Sequence, residues 1–545
     1  MAPKPSRGGY AFEREAITHR PSSESLLGNL LVQKLLSDSH ALGVAPLVME
    51  INRMTSQNTL KPMLIGGAWV PGEPQAFDSV NPATGAVNYR VSGADATHVD
   101  AAVESARQAV AAKAWRTMLP HTRARLLSRI ADGIDANAEE LARLQMLENG
   151  KVWKECQAQV TSAAATYRYF AAVCETIGAE VTPSRGDYLS MTAYEPYGVV
   201  AAITPWNSPL TMEAQKVAPA LAAGNAVVLK PSEFTPSTAL SIGRIALEAG
   251  LPPGILNILP GTGAITGKAL VAHRDVRMVS FTGGTTSGRA IAAVAAYRLI
   301  PVSLELGGKS PHIVFADANL EAAVASVADG IFEGSGQSCV AGSRLFVQRR
   351  ALDKVVAMAA ARATALRVDL PDAAGAQMGP IASFQHRERI ESLVEAARRD
   401  GGEIVTGGRR PADDRLAAGA FYLPTIIAGL SNCATTVQEE IFGPVLCVLP
   451  FDDEDDLITQ ANETVFGLAS GIWTADYQRA WRVARALEAG TVWINTYKQL
   501  SIATPFGGFK ESGIGREKGV SGVRLYQQSK GIYWSMNPAN MPAMA

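Results

Sequence analysis

Short apolar segments alternate with helix-like stretches between about residues 197 and 315, and this alternation limits the fold more than any other feature. Each segment is rich in β-forming residues and ends in Gly or Pro; the segments read GVVAAITPW, AVVLKPS, ILNILPG, VRMVSFTGG and PVSLELGG. Such runs are typical of parallel strands that are buried on both faces. Right-handed crossovers then predict a doubly wound α/β sheet, whose ligands bind beyond the carboxyl ends of the strands.

The rest of the chain predicts further units. A second alternation, from SRLFVQ at 343–348 to GTVWINTY at 490–497, indicates a second α/β lobe. The 545 residues are enough for two or three lobes, since single cores rarely grow past about 250 to 300 residues. Residues 1–58 are polar and Ser-rich at first and are expected to be a poorly ordered extension; glutamates among them do not fit a transit peptide. A start at Met54 is the alternative.

Charge and cysteine usage exclude several classes of partner. The 50 Lys and Arg residues nearly balance 51 Asp and Glu residues, so neither a nucleic acid nor an anionic membrane is expected as a partner. The five cysteines form no CxxC pair and no cluster with metal-ligand spacing, so no metal is expected. A reducing, cytoplasmic location fits this usage.

Cys339 lies in the segment GSGQSC, after a glycine-rich run and without a histidine nearby. The glycines allow close approach of the backbone to a ligand, and Gln337 and Ser338 keep the surroundings polar. This setting favours a nucleophile, which would need a lowered pKa or a base. The alternative is a buried structural cysteine.

Two further residues are candidates for the same chemistry. Glu305 stands in the middle of an apolar predicted strand, where a carboxylate is costly unless it is paired or faces a site. It is either a general base of raised pKa or a structural acid paired with Lys309. Asn207, in TPWNSPL, could donate its amide to a developing oxyanion together with the Cys339 amide; the alternative is an Asx-turn residue.

Together these motifs resemble the NAD(P)-dependent aldehyde dehydrogenases. TPWNSP, KPSE, FTGGT, LELGGKSP, GQSC, EEIFGPV and PFGGFKESGIGRE occur in the family's order and spacing, and the resemblance covers about residues 60–540. It implies a Rossmann-like, doubly wound coenzyme domain, a second α/β catalytic domain and a small β oligomerisation flap. The implied boundaries are 59–179 and 197–307 for the NAD-binding domain, 308–522 for the catalytic domain, and 180–196 paired with 523–540 for the flap.

The resemblance also implies the roles of individual residues. Cys339 is the implied nucleophile, Asn207 the oxyanion donor and Glu305 the base that activates water for thioester hydrolysis, with Lys216 and Glu517 as a proton path behind it. The implied cofactor residues are Thr204, Pro205, Trp206, Lys230, Glu233, Phe281, Thr282, Gly283, Gly284, Gly288, Leu306, Gly307, Glu440 and Phe442. An acid at position 233 accepts from a free ribose hydroxyl and repels a 2′-phosphate, so NAD is favoured over NADP.

Departures from the family's pattern bear on the substrate. The implied substrate pocket consists of Ser208, Met212, Gln215, Ser338, Val340, Leu500 and Phe506. At three of these positions, Ser208, Gln215 and Leu500, members that act on small aldehydes commonly carry aromatic rings. Their absence favours a bulkier or more polar aldehyde, such as an aromatic or functionalised semialdehyde, and disfavours betaine aldehyde. Gly334 and Gly284 replace an asparagine and a serine that are common in the family.

Two other functions remain open from the sequence. Acyl transfer to coenzyme A needs no water-activating base, so Glu305 argues against it. A catalytically silent scaffold of the same fold would not need Cys339, Glu305 and Asn207 together. The flap segments alternate as edge strands do and predict a homodimer or homotetramer.

Overall fold

A computed structural model of the protein describes residues 60–537 and residue 539. The predicted extension at 1–58 lies outside the described residues. In the part of the chain that is described, none of the helices combines the length and the apolar character needed to span a bilayer.

The strands are numbered in chain order. They are β1 Met63–Ile65, β2 Ala68–Val70, β3 Phe77–Val80, β4 Val87–Val91, β5 Glu180–Thr182, β6 Tyr188–Pro196, β7 Val199–Ile203, β8 Ala226–Lys230, β9 Leu256–Ile258, β10 Met278–Thr282, β11 Val302–Glu305, β12 Pro311–Val314, β13 Arg344–Gln348, β14 Glu403–Thr406, β15 Thr425–Ala428, β16 Val445–Phe451, β17 Phe466–Gly467, β18 Ala469–Trp473, β19 Thr491–Ile494, β20 Phe509–Lys510, β21 Gly513–Ile514 and β22 Gln527–Ser535.

The α-helices are numbered in the same way. They are α1 Ala96–Ala111, α2 Lys113–Arg116, α3 Pro120–Ala136, α4 Ala138–Asn149, α5 Trp153–Thr176, α6 Pro209–Ala223, α7 Ser237–Glu248, α8 Lys268–Ala272, α9 Thr285–Arg298, α10 Leu320–Phe332, α11 Leu352–Ala365, α12 Phe384–Arg399, α13 Thr435–Gln438, α14 Glu454–Asn462, α15 Tyr477–Ala486 and α16 Gly519–Arg524.

The first sheet has eight strands in the order β2-β1-β9-β8-β7-β10-β11-β21. Its five central strands are parallel, and every residue of β7 and β8 is buried. The chain runs from β7 outward through β8 and β9, then returns to place β10 and β11 on the other side of β7. The gap between β7 and β10 is therefore a topological switch point, where the crevice of such a sheet binds its ligand. The prediction of a doubly wound sheet is confirmed.

The second sheet has seven strands in the order β14-β15-β16-β13-β12-β18-β19. All its pairs are parallel except β14 with β15. One apolar cluster packs on each face of this sheet, as expected for parallel strands that are covered on both sides. The predicted second α/β lobe is thus present.

A small third sheet pairs the two predicted flap segments. Strands β6 and β22 are antiparallel over nine residues, from Tyr188 opposite Ser535 to Pro196 opposite Gln527, and β5 completes the sheet on the other side of β6. Residues 519–524 form helix α16 rather than strand, so the paired part of the C-terminal segment begins at Gln527. Strand β22 is an edge strand, and most of its residues are exposed.

Glu305 occupies a different position in its strand from the predicted one. Strand β11 ends at Glu305, because the chain turns away at the following glycines to reach β12. The carboxylate therefore stands at the carboxyl end of a central strand, where the ligands of parallel sheets bind, rather than inside the sheet.

Candidate active site

A cavity of about 700 Å³ lies at the switch point of the first sheet. The loop after β7, the end of β10 and the end of β11 all contribute to its wall. The cavity brings together many of the predicted site residues: Pro205, Trp206, Asn207, Met212, Thr282, Gly283, Gly284, Glu305, Leu306, Gly307, Cys339, Glu440 and Phe442. Residues far apart in sequence thus converge on one cavity at the edge where the topology predicts a ligand.

The loop before Cys339 is held in an unusual backbone conformation. Gly334, Ser335 and Gly336 have φ values of 63°, 57° and 71° in succession, a left-handed path that side chains other than glycine rarely adopt. The amide of Gly334 donates to Glu155 Oε1 at 2.8 Å, and the Ser335 hydroxyl donates to the Gly379 carbonyl at 2.9 Å. A Cβ at Gly334 would come within 2.5 Å of Lys151 Nζ. The lysine therefore fills the space beside this glycine, and the turn before the cysteine is braced.

Cys339 is half-buried and lines the cavity. The pKa of its thiol is raised to about 12, mainly by burial and also by the carboxyl groups of Glu440 and Glu305, whereas the Lys518 ammonium acts in the opposite direction. The thiol is therefore protonated at neutral pH in the protein alone. Any nucleophilic role needs a change in this balance when ligands bind.

Asn207 lies beside Cys339 in the cavity wall. Its side-chain amide donates to the main-chain carbonyl of Gln337 at 2.9 Å and so joins the loop after β7 to the cysteine loop. Helix α6 starts just after it, with Pro209 in its first turn and no side-chain cap. The amide thus bridges two segments instead of closing an Asx-turn, and its second N–H remains available to a ligand.

Glu305 is only 5% exposed, and neither of its carboxyl oxygens has a hydrogen-bond partner among the described residues. The alternative that pairs it with Lys309 is wrong, because the Lys309 ammonium donates to the carbonyls of Thr436 at 2.8 Å and Glu439 at 2.7 Å. Burial raises the pKa of Glu305 well above its ordinary value, and the neighbouring Glu517 adds to this effect. The ammonium of Lys216 opposes it.

A buried polar network lies behind Glu305. Lys216 Nζ contacts Glu517 Oε1 at 2.6 Å and Ser280 Oγ at 3.1 Å. The Tyr526 hydroxyl donates to the same Ser280 oxygen at 3.0 Å. The sequence predicted Lys216 and Glu517 as neighbours of Glu305, and the structure places both there with Ser280 and Tyr526 as additional members.

The predicted adenosine end of the cofactor site lies at the end of β8. Lys230 is buried and donates to the Pro231 carbonyl at 2.7 Å, and Glu233 Oε2 lies 3.6 Å from its ammonium. The Glu233 carboxylate is half-exposed, so it can accept from a ligand hydroxyl without losing the lysine. Gly288 packs so closely on Leu306 that a Cβ there would come within 2.4 Å of the leucine side chain.

The region between the strand ends has unused polar groups. The hydroxyl oxygens of Thr204, Thr282 and Thr285 are buried and have no hydrogen-bond partner among the described residues. Helix α9 begins just after Gly284, which has no side chain to cap it. A helix start with free N–H groups and buried, unpartnered hydroxyls suits a phosphate-bearing ligand.

Glu440 and Phe442 form another part of the cavity wall. Glu440 Oε1 accepts from the Gly308 amide at 3.0 Å, and burial raises the pKa of this carboxyl to about 7. A Cβ at Gly307 would come within 2.4 Å of Glu440 Oε2, so the glycine makes room for the carboxyl group. The ring of Phe442 meets Trp206 edge to face at 5.3 Å. These contacts fix both side chains in the cavity wall.

The predicted substrate-pocket residues differ in how close they lie to Cys339 and in how exposed they are. Met212 lines the cavity, and Val340 and Phe506 belong with Cys339 to one apolar cluster. Ser208 accepts from Gln159 Nε2 at 3.1 Å, and Leu500 is 50% exposed. Gln215 is buried in α6, and Ser338 is half-buried beside the cysteine. The structure therefore places Val340 and Phe506 against Cys339, and Leu500 nearer the solvent.

The sequence did not identify Lys518, Arg389 or Thr285 as site residues. Arg389 lines the cavity and donates to the carbonyls of Glu440 and Ile441 at 2.9 and 3.2 Å. Lys518 acts on the charges of both Cys339 and Glu305. The signal for Lys518 was its place directly after Glu517 in GIGREKG; no motif in the sequence pointed to Arg389.

Comparison with known proteins agrees with this geometry. The sequence model of the aldehyde dehydrogenase family matches residues 69–532. Betaine aldehyde dehydrogenase of Bacillus subtilis is 39% identical over 479 residues, which cover 88% of this chain and 98% of that protein. Phenylacetaldehyde dehydrogenase of Pseudomonas fluorescens is 41% identical over 479 residues, covering 86% and 95%.

Comparison with solved structures also finds an aldehyde dehydrogenase. The structure of an NAD+ complex of aldehyde dehydrogenase from Bacillus cereus superposes with a TM-score of 0.87 at 38% identity, covering 90% of this chain and 99% of that chain. The chain therefore belongs to the aldehyde dehydrogenase family, and it is an oxidoreductase. The resemblance on which the sequence prediction rested is confirmed.

The raised thiol pKa predicts how Cys339 reacts in the protein alone. Below a pKa of about 12, the thiolate fraction grows about tenfold per pH unit. The rate of Cys339 alkylation by iodoacetamide should therefore rise about tenfold for each pH unit between about pH 7 and pH 10. Mass spectrometry of the peptide that contains Cys339 measures this rate, and the exposed Cys433 serves as an internal reference. A plateau for Cys339 below about pH 9 would contradict the prediction.

Proposed function

We propose that the protein oxidises an aldehyde to a carboxylic acid with NAD, through a thiohemiacetal and then a thioester on Cys339. The observation that carries this proposal is the convergence of Cys339, the Asn207 amide and the unpaired Glu305 carboxyl on one cavity. These three groups supply a nucleophile, an oxyanion donor and a water-activating base.

The Cys339 thiol first loses its proton to solvent, and attack by the resulting thiolate on the aldehyde carbon then opens the C=O double bond and turns the carbonyl oxygen into an oxyanion. The Asn207 amide is already oriented by its bond to the Gln337 carbonyl, so it loses little freedom when its second N–H donates to that oxygen. The Cys339 main-chain N–H is the second proposed donor. Donors fixed in advance stabilise the developing charge without reorganisation during the step.

Hydrolysis of the thioester is the proposed task of Glu305. A carboxyl group of raised pKa and without a hydrogen-bond partner can take a proton from water and hand it on, whereas a salt-bridged carboxylate is a weak base. Lys216 and Glu517 lie behind it and offer a path for that proton. The same feature argues against acyl transfer to coenzyme A, because that reaction has no need of a base for water.

NAD is proposed as the cofactor because the cavity wall fits a dinucleotide. The buried, unpartnered hydroxyls of Thr204, Thr282 and Thr285 and the open start of α9 would hold the phosphates. Glu233 would accept from the adenosine ribose, and its charge would repel the 2′-phosphate of NADP. Glu440 would hold the second ribose. When bound, NAD supplies the acceptor for the hydride that leaves the substrate carbon.

The proposed substrate is a bulky or polar aldehyde, of the aromatic or functionalised semialdehyde class. Ser208 and Gln215 present small or polar side chains where an aromatic wall would narrow the pocket. The similarity to phenylacetaldehyde dehydrogenase supports this class. Betaine aldehyde dehydrogenase is about equally similar, but a quaternary ammonium group favours an aromatic cage, which those two positions do not supply.

We also propose that the protein forms a homodimer or homotetramer in the cytoplasm. Strand β22 is an unpaired edge with Tyr533 and Trp534 exposed at 73% and 63%, and strand β19 is an edge of the second sheet. Exposed edges with aromatic side chains favour addition to a neighbour's sheet. All five cysteines are free, as a reducing compartment requires. Light scattering of the purified protein measures the assembly mass.

A spectrophotometric panel tests the activity. Purified protein should form NADH at 340 nm with benzaldehydes and with carboxy or hydroxy semialdehydes, and it should act poorly on acetaldehyde. NADP should support markedly slower turnover than NAD, because Glu233 repels its phosphate. The Cys339→Ala variant should lose all turnover. Preference for short alkanals would refute the proposed substrate class. No turnover with any combination of aldehyde and cofactor would favour a silent scaffold.

The charges around Glu305 predict opposite pH shifts for two variants. Glu305 acts when it is deprotonated, so activity rises as pH increases through its pKa. Lys216→Met removes a charge that lowers this pKa, and Glu517→Gln removes one that raises it. The acidic limb of the pH profile of kcat should therefore move to higher pH in Lys216→Met and to lower pH in Glu517→Gln, each by about one pH unit.

The pH profile of kcat, under conditions where thioester hydrolysis limits turnover, measures both shifts. Lys354→Met, at an exposed lysine of α11, is the matched control and should leave the limb in place. Equal shifts of the same sign in the two variants would show that another group controls the limb.

A further inference from the structure

Lys518 is a buried cation close to the active cysteine, and the proposed mechanism does not use it. The residue is 6% exposed, and its ammonium lies 5.1 Å from the centroid of the Phe506 ring. Phe506 and Cys339 pack against the same apolar cluster, which includes Val340. Phe506 does not line the 700 Å³ cavity, whereas Cys339 does. Lys518 therefore approaches the cysteine from the Phe506 side, away from the proposed cofactor.

Burial lowers the pKa of the Lys518 ammonium, and the charges of Glu517, Cys339 and Glu305 oppose this effect without reversing it. No ion pair or hydrogen bond joins it to any residue in the part of the chain that the structure describes. Lys216 differs, since it contacts Glu517 and Ser280, and Lys309 differs, since it donates to two carbonyls. An ammonium that loses water without gaining an acceptor is unfavourable, and an anion that binds beside it removes that penalty.

The backbone at Lys518 is strained. Its φ of 60° and ψ of 175° fall in a region that is nearly restricted to glycine. Two main-chain hydrogen bonds between Phe506 and Glu517, each 2.8 Å, hold the preceding residue in place, and the Gly522 amide donates to the Lys518 carbonyl at 2.8 Å. Strain of this kind persists where the surroundings fix it, and it clusters at sites that clamp ligands.

Neither Cys339 nor Glu305 forms an ion pair with the Lys518 ammonium in the described part of the chain. The positive charge of Lys518 favours the Cys339 thiolate, but burial and two carboxyl groups outweigh it and leave the thiol pKa raised. The pKa of Glu305 is raised as well. Both shifts act against the charged forms of these groups, and neither group forms an ion pair with the ammonium among the described residues.

We propose that Lys518 binds an anionic group, a carboxylate by preference, on the aldehyde substrate. This inference rests on the proposed function and narrows its substrate class to aldehydes that carry an acid group. The carboxylate accepts a charge-assisted hydrogen bond from the ammonium while the carbonyl carbon faces Cys339. The Phe506 ring contacts the organic body of the substrate between these two ends.

Matched substrates that differ in charge test this assignment. The kcat/KM values of 4-formylbenzoate and neutral 4-formylbenzamide, and of succinic semialdehyde and its neutral amide, are compared in the wild type, Lys518→Met, Lys518→Arg and Lys354→Met. We expect Lys518→Met to lose about 10- to 100-fold on the carboxylates, because a hydrogen bond to a charged group is lost, with the amides changed by less than about threefold. Lys518→Arg should keep most of the preference, and Lys354→Met all of it.

Alkylation of Cys339 gives a second readout that needs no substrate and no NAD. The thiolate displaces iodide from anionic iodoacetate or from neutral iodoacetamide, and the ratio of the two rates reports an anion site beside the sulfur. We expect this ratio to fall about tenfold or more in Lys518→Met. The iodoacetamide reaction itself should also be slower at a given pH, because the ammonium that favours the thiolate is gone. An unchanged ratio, or equal loss on charged and neutral substrates, would overturn the proposal.

The two readouts separate the possible failures. If no aldehyde is oxidised but the alkylation ratio depends on Lys518, the proposed function fails and the anion site stands. If the aldehydes are oxidised but Lys518 affects neither the preference for charged over neutral substrates nor the ratio of the two alkylation rates, the function stands and the anion site fails. A shift of the iodoacetamide profile to higher pH without a change in the ratio would assign Lys518 to the thiolate and refute the substrate role.

Discussion

The buried carboxyl group of Glu305 is the constraint on which the rest of the site depends. A carboxylate that is 5% exposed at the end of a central strand has lost most of its hydration, and the described structure gives it no hydrogen bond in return. Its raised pKa is the physical result. Within the buried network behind it, the Glu517 carboxyl group raises this pKa further, whereas the Lys216 ammonium lowers it. In the proposed mechanism this carboxyl group is available to water, because no other described residue forms a hydrogen bond with it.

The charges around Cys339 balance in a similar way. Two carboxyl groups, those of Glu440 and Glu305, disfavour the thiolate, whereas the nearby Lys518 ammonium favours it. The thiol therefore favours its protonated form at neutral pH in the protein alone. In the proposed mechanism, the reactivity of this thiol, which has no histidine partner among the described residues, depends on neighbouring charges and bound ligands rather than on a dedicated base.

The sequence predicted the doubly wound sheet and proposed site residues that the structure brings to one cavity, because both leave local signals. Apolar strands that end in Gly or Pro identified the doubly wound sheet, and short motifs identified Cys339, Glu305 and Asn207. Contacts between distant segments were not visible in the same way. The sequence placed Glu305 inside its strand, with Lys309 as a possible partner, and only the packed structure shows that Lys309 bonds two carbonyls of another segment. The lack of a partner for Lys518 likewise depends on how every neighbouring element packs.

The central claim is that Glu305 acts after acylation of Cys339, as the base for hydrolysis. Rapid mixing of the Glu305→Gln variant with NAD and an accepted aldehyde measures this directly. The account predicts a burst of about one NADH per active site, as in the wild type, followed by steady turnover that is slower by about 10²- to 10⁴-fold because the positioned base is gone. Loss of the burst itself, or steady turnover equal to that of the wild type, would contradict it.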